Sequence, residues 1–597
     1  MVEGLEGDKD EKRVIATPKH LVGNDLDKWN GISRHDFSAE ITTQDLAEYY
    51  LMPFQGCMRD SKAGSIMTSY NAVNGVPMSA NSYFMKTILQ DHWKWTSPSN
   101  FIVSDCGAVG DVARSHKYRD TDAEGFYECV KNGLDLACEN HKYTGVKDSY
   151  DAGLLTENMV DSSLQRVYEG LIQAGYFSGA KSEWAHLGWA DVNTTKAQEF
   201  ALKTAVDGIV LLKNNGSTLP LDLKEDSKLA MIGFWADSEK HLNGDYSGKA
   251  PYYHTPAWAA SEMGFSTHVA NGPILEDDKA EDSWTKDAVE AAEKSDYILY
   301  FGGLHTGAAG EGKDRETISW PEAQLTLLNR LAETGKPIIV VQLGDQIDNT
   351  PLLQHEGISS IMWASWPGQD GGTAVMRLVT GKDSPAGRLP VTQYPAKYVS
   401  DIPMTSMKLR PTSEYPGRTY RWYNKAVQPF GFGLHYTDFD VSFGQFPDAF
   451  SIQELVGACE NEFPDTCAFA TMTVQVKNTG DHKSDYVALA FVKGEFGPEP
   501  YPLKSLAAYT RVRDIGPGET KTADLRWSLG ELARHDEDGN TILYPGEYTV
   551  LVDEPTRTEM KFTLTGGPHV LDKWPAPPPR DEAGQSGENV QTDNPEL

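Results

Sequence analysis

The chain reads as a multidomain α/β protein: a partial (β/α)8 barrel, then an α/β sandwich domain, then a β-sandwich of fibronectin type III or immunoglobulin kind. Three observations predict this. Short apolar runs alternate with helical patterns as far as about residue 177, and the alternation resumes between about 197 and 396. From about residue 440 the apolar period becomes two.

In the first region the apolar runs are Arg13–His20, Gly64–Tyr70, Phe101–Asp105 and Gly133–Cys138. Between them Thr43–Met58 has a helical pattern with Thr43 in N-cap position, and Val160, Leu164, Val167, Leu171 and Ala174 recur at helical spacing before Phe177. Four strand–helix units within 1–177 make half of an eight-stranded barrel. Residues 178–196 read as a linker. The second region, 197–396, places strands at Gly208–Leu212, Leu229–Gly233, Tyr297–Gly302, Pro337–Leu343 and Ile358–Trp363, with helices such as Pro321–Thr334 between them. A Gly- and Pro-rich stretch, 397–439, suits a linker laid along domain surfaces. In 440–566, Met472, Val474 and Val476 alternate with polar neighbours, and Asn478-Thr-Gly supplies a turn. The remainder, 567–597, is rich in Pro, Asp, Glu and Gln and has the composition of a disordered tail.

Composition narrows the function. Fifty-four Lys and Arg against 86 Asp and Glu leave a net charge of −32, which repels phosphate backbones and anionic membranes. That excludes nucleic acid as a partner and suits a neutral ligand, for which 14 Trp and 26 Tyr offer stacking surfaces. No apolar run is long enough to span a bilayer. The six cysteines form no metal-binding pattern, so neither metal nor cofactor is expected. Cys459 and Cys467 sit close together in a polar loop and read as a local disulfide, and the sequons at Asn193 and Asn215 likewise point to an oxidising compartment. The opening residues, Met-Val-Glu-Gly-Leu-Glu-Gly-Asp, carry no secretory leader pattern.

The sharpest local feature is Phe101-Ile-Val-Ser-Asp105-Cys106, a buried-strand pattern with a carboxylate at its C-terminal end. In barrels that end faces the active site. By position alone Asp105 could equally cap the next helix or close a turn. Around it stand Pro18-Lys19-His20, Ser69-Tyr-Asn-Ala-Val-Asn-Gly-Val-Pro77, Gly133-Leu-Asp-Leu-Ala-Cys138, Gly208-Ile-Val-Leu-Leu-Lys-Asn214, Trp366-Pro-Gly-Gln-Asp-Gly-Gly372, Gly387-Arg-Leu-Pro390 and Arg418-Thr-Tyr420. In this order the motifs resemble glycoside hydrolase family 3, and Cys after the Asp resembles its fungal β-xylosidase (xylan 1,4-β-xylosidase) branch. The likeness runs from about residue 3 to 566.

The resemblance implies a retaining glycosidase with two carboxylates about 5–5.5 Å apart. Asp105 is the implied nucleophile and Glu311, three places before Asp314-Arg315 in a Gly-rich loop, the implied acid/base. Lys19 and His20 match ligands of sugar hydroxyls, and Tyr70 matches a tyrosine beside the nucleophile. Cys106 and Cys138 match a disulfide of the branch that would narrow the pocket in favour of a pentose. A second bridge of the family falls at Thr68 and Ser79, where both cysteines are absent. Gly107 replaces the branch's usual Asp, and Ala309 stands where close xylosidases often carry an acidic residue. The expected substrate is a xylo-oligosaccharide and the expected location outside the cell. Within the family, α-L-arabinofuranosidase and β-glucosidase are the alternatives. The chain matches only the C-terminal half of the family's barrel, so an N-terminal truncation is expected, and with it an inactive remnant that at most binds carbohydrate becomes the competing reading.

Overall fold

The computed structural model describes residues 1–224, 226–273, 282–308 and 310–577. Ala309 and the expected tail beyond Pro577 lie outside the described residues.

The barrel portion centres on two parallel strands, β1 (Ser65–Thr68) and β2 (Phe101–Ser104), paired with Ser65 opposite Phe101. Beyond β1 an extended segment, 16–22, runs parallel to it, with Ser65 N donating to Ala16 O (3.2 Å) and Leu21 N to Met67 O (2.9 Å). Beyond β2 lies segment 134–138, where Ser104 N donates to Leu136 O (2.9 Å). The four apolar runs thus lie side by side in sequence order, their carboxyl ends together. Helices α1 (Ala108–Arg114), α2 (Asp122–Lys131) and α3 (Glu157–Gln173) follow. The helical stretch after residue 42 is capped by Thr42 rather than Thr43. Thr42 is extended and its hydroxyl accepts from Asp45 N, whereas Thr43 is already helical. α3 seats its small residues, Ser163 and Gly170, and leaves Val160 and Leu164 exposed. A Cβ on Gly170 would stand 2.9 Å from the Phe101 ring, so close approach decides that face.

The second domain is a six-stranded sheet. In chain order its elements are α4 (Thr195–Gly208), β3 (Val210–Asn214), β4 (Lys228–Ile232), α5 (Pro256–Glu262), β5 (Ser266–Ala270), α6 (Asp282–Glu293), β6 (Tyr297–Gly303), α7 (Glu322–Ala332), β7 (Ile338–Leu343), β8 (Ile358–Ser365) and α8 (Gly371–Val379). The strand order is β5-β4-β6-β7-β8-β3, parallel except for β3 against β8. Both faces are buried: Leu299, Phe301, Ile339 and Val341 pack on one side, Ile298, Tyr300, Ile338 and Val340 on the other. That explains why these strands read as unbroken apolar runs. The periodicity missed β5, an edge strand whose Ser266-Thr267-His268 is only partly buried. From β4 the chain goes to β5 on one side and then to β6 on the other. The crevice beyond the ends of β4 and β6 is therefore a topological switch point, where α/β sheets bind ligands.

The third domain packs β9 (Phe439–Phe443), β11 (Ala468–Asn478) and β14 (Thr520–Ser528) against a sheet of β10 (Ala449–Ser451), β16 (Thr558–Thr565), β15 (Gly546–Val552), β12 (Ser484–Lys493) and β13 (Ser505–Ile515), in that order. Met472, Val474 and Val476 are buried, as the alternation requires. Order continues past residue 567, against the expectation of disorder there. His569–Asp572 pairs with Thr541–Leu543, and Trp574 is buried with its indole N–H on the Tyr83 hydroxyl (2.9 Å). One buried aromatic outweighs the polar composition of its neighbours.

The barrel, the connecting stretch and the β-sandwich domain meet at one carboxylate. Glu48, 4% exposed, takes Arg421 at 2.7 Å and Arg534 at 3.3 Å, and also pairs with Arg410, which in turn holds Asp45. Glu48 and Asp45 belong to the barrel, Arg410 and Arg421 to the connecting stretch, and Arg534 to the β-sandwich domain. Removing Glu48 leaves Arg421 and Arg534 without a carboxylate partner, Arg410 keeping Asp45, so Glu48→Ala should cost about 3–5 kcal/mol and appear as a large fall in the thermal midpoint. Thr68 and Ser79 face each other through buried hydroxyls 2.9 Å apart. Replacing both with Cys should close a disulfide, read as the loss of two hydrogens in intact mass, and add about 2–3 kcal/mol of stability.

Candidate active site

Asp105 follows β2 directly. The turn that carries it is held by Asp105 N on Thr68 O (3.1 Å) and by Cys106 N donating to Asp105 Oδ1 (2.8 Å). Gly107 then takes φ +92°, a left-handed conformation that a Cβ disfavours, and α1 starts behind it. The disulfide Cys106–Cys138 ties this turn to the neighbouring segment, and Gly107 N donates to Cys138 O (2.7 Å). A second disulfide joins Cys459 and Cys467.

His20, at the end of the 16–22 segment, places Nε2 3.1 Å from Asp105 Oδ2. Its Nδ1 lies 3.2 Å from the Asn24 amide nitrogen. With Asn24 donating there, the imidazole proton sits on Nε2 and points at Asp105. Burial lowers the pKa of His20, partly opposed by Asp105 and reinforced by Lys19 and Arg34, so the ring is neutral. Tyr70 donates its hydroxyl to Cys106 O (3.0 Å). Burial, then the Asp105 carboxylate, raises its pKa, which keeps it a phenol.

Glu311 comes from the second domain, on the loop that leaves β6. Gly303 turns the chain out of the strand at φ +127°, where a Cβ would collide with Leu343 O at 2.0 Å. Asp314, on the same loop, clips it to the barrel: its Oδ2 accepts from Asp27 N (2.7 Å) and Lys28 N (2.9 Å), and its own N–H donates to Lys28 O (3.2 Å). Glu311 Oε1 accepts from Arg34 Nη2 at 2.8 Å, and Oε2 accepts from the Tyr246 hydroxyl. Those two bonds, Tyr246 first, lower the pKa of Glu311. Tyr246 stands on the loop after β4, at the other side of the switch point. It is 77% exposed and carries Lys19 Nζ 4.5 Å above its ring.

The structure therefore brings together all five candidates, Asp105, Glu311, Lys19, His20 and Tyr70. Both carboxylates act electrostatically on His20, Tyr70 and Tyr246. Sequence reasoning missed Arg34, Asn24 and Tyr246, and quoted Asp314 only as part of a motif. Each lies in a polar loop where nothing but the folded path marks it. The Gly-flanked Asp245-Tyr246 after an apolar strand was the one available hint.

Residues 1–169 match the family described as glycosyl hydrolase family 3 N terminal domain, residues 209–436 its C-terminal domain, and residues 486–555 a fibronectin type III-like domain. The chain is 45% identical to a probable exo-1,4-beta-xylosidase, bxlB, of Aspergillus fumigatus, over 97% of this chain and 76% of that protein. It is 42% identical to the exo-1,4-beta-xylosidase bxlB of Emericella nidulans, over 96% of this chain and 75% of that one. Among solved structures, a GH3 exo-beta-xylosidase (XlnD) in complex with a xylobiose aziridine activity-based probe superposes with a TM-score of 0.92 at 37% identity, covering 96% of this chain and 75% of its own. Two family domains in order, an appended β-sandwich and identity at this level over almost the whole sequence leave one assignment: the chain belongs to glycosyl hydrolase family 3.

Proposed function

We propose that the chain is a retaining exo-glycosidase that releases β-1,4-linked xylose from the non-reducing ends of xylo-oligosaccharides. One observation carries this reading. Asp105 and Glu311 come from separate domains and border one group of side chains: Tyr70, bonded at 3.0 Å to the turn that carries Asp105, lies 4.4 Å under the Arg34 guanidinium, which holds Glu311 at 2.8 Å. The likeness to proteins named exo-1,4-beta-xylosidase supports the choice of sugar.

In the first step Glu311 gives its proton to the glycosidic oxygen, the bond from that oxygen to the anomeric carbon breaks, and an Asp105 oxygen bonds to that carbon. In the second step Glu311 takes a proton from water, the water oxygen bonds to the anomeric carbon, and Asp105 leaves. Two inversions retain the configuration. Lys19 and His20 would bind neighbouring hydroxyls of the sugar, His20 as a neutral ring. Tyr70, kept protonated, steadies the turn that bears the nucleophile through its bond to Cys106 O. The Cys106–Cys138 bridge lies beside that turn and would crowd the hydroxymethyl arm of a hexose. Two disulfides and exposed sequons at Asn193 and Asn215 fit a glycosylated protein made for an oxidising compartment.

A xylobiose-configured aziridine, which needs both an acid and a nucleophile, should leave one covalent adduct, mapped by peptide mass to Asp105. Asp105→Asn should lose both the adduct and turnover of chromogenic β-xyloside. An adduct elsewhere, or a folded wild-type chain that forms none and turns over nothing, would overturn the reading.

A further inference from the structure

Arg34 lies in the barrel loop between segment 16–22 and β1, away from every motif that carries the family resemblance. Its guanidinium nevertheless reaches across the domain seam. Nη1 donates to Asp27 Oδ1 (2.7 Å), Nη2 donates to Glu311 Oε1 (2.8 Å), and the group lies 4.4 Å over the Tyr70 ring. The loop that bears it is the one Asp314 grips through the amides of Asp27 and Lys28. Three constraints, an ion pair behind, an aromatic face beside and a clamped loop beneath, set the direction of the fork.

We propose that Arg34 is a positioning residue for the acid/base: it occupies Oε1 of Glu311 and so leaves Oε2 as the oxygen that carries and transfers the proton. The proposal rests on the reading of Glu311 as that acid/base. In the first step, as Oε2 loses its proton to the glycosidic oxygen, negative charge develops on a carboxylate already bonded to a fixed cation. In the second step the same bond keeps Oε2 aimed at the attacking water. The Tyr246 hydroxyl, now on Oε2, is the group a leaving sugar would displace. The charged and titratable groups around this pair are Asp27 on the loop of Arg34, His35 packed on Tyr70, Lys19, His20, Tyr70 and Asp105 at the strand ends, and Tyr246 and Asp245 on the loop after β4, while Lys313 on the loop of Glu311 turns its ammonium to Gly307 O.

The test compares wild type, Arg34→Met, Arg34→Lys and Glu311→Ala on two substrates. Xylobiose needs its leaving oxygen protonated, whereas 2,4-dinitrophenyl β-xyloside does not. For Arg34→Met, kcat/KM on xylobiose should fall by roughly 10–10²-fold, with the dinitrophenyl substrate changed by less than about threefold. Its alkaline limb on xylobiose should move to higher pH, because loss of the cation makes Glu311 a weaker acid. Arg34→Lys keeps the charge but not the fork, so it should lose less and keep the limb near its wild-type position. It also serves as the second variant if Arg34→Met folds poorly. Equal losses on both substrates with an unmoved pH profile would overturn the proposal. Glu311→Ala should lose xylobiose activity selectively and regain turnover of the dinitrophenyl substrate with azide. If it does neither, the acid/base reading itself fails, and a wild-type chain without turnover or aziridine labelling would remove both.

Discussion

The architecture depends on a buried carboxylate that the barrel shares with the connecting stretch and the β-sandwich domain. A site assembled from separate domains is only as exact as the seam between them, and interfaces within one chain permit relative motion unless something specific holds them. Here Glu48 draws in arginines from the connecting stretch and from the β-sandwich domain, while Arg59 grips Asp465 through two hydrogen bonds of 3.1 and 2.7 Å. Such pairs add little by mere attraction, because desolvation offsets it. Their value lies in geometry, since each guanidinium has one place where its charge is matched. The β-sandwich is thereby a brace for the barrel helices, although it gives no residue to the cleft described above.

Closer to the chemistry a lighter clamp works on the same principle. Asp314 accepts two barrel amides and returns one N–H, so the loop carrying Glu311 docks by backbone pairing rather than by packing. Such contacts fix register without apolar surface, which suits a loop that must border an open cleft. The switch point of the second sheet then explains why Tyr246 and Glu311 meet. Their loops leave adjacent strands whose connections run in opposite directions.

The environments of the two carboxylates differ in kind. Asp105 sits low, with a neutral imidazole and a backbone amide directed at it. Glu311 stands at the exposed edge, held by a cation and a phenol. In a chain of net charge −32, the cations Lys19 and Arg34 beside these two acids are a local exception to the surface. The field they create, rather than the net charge, governs what the cleft binds.

The order of domains and the buried strands were legible in the sequence because each depends on a local pattern, an apolar run or a change of period. The five candidate residues were legible only through the family resemblance of their motifs, since position alone left even Asp105 open as a helix cap or turn. Strand β5, the seating face of α3 and the ordered chain through Trp574 were not, since an edge strand, a small-residue contact and a single anchoring indole leave no periodic trace. Arg34, Asn24 and Tyr246 escaped for a related reason. Their partners lie on other loops, and Arg34 is 277 residues away from Glu311 along the chain. Local sequence determines which backbone a segment adopts. Which side chains finally share a cleft is set by where the connecting loops run, and that follows from the packing of whole domains against one another.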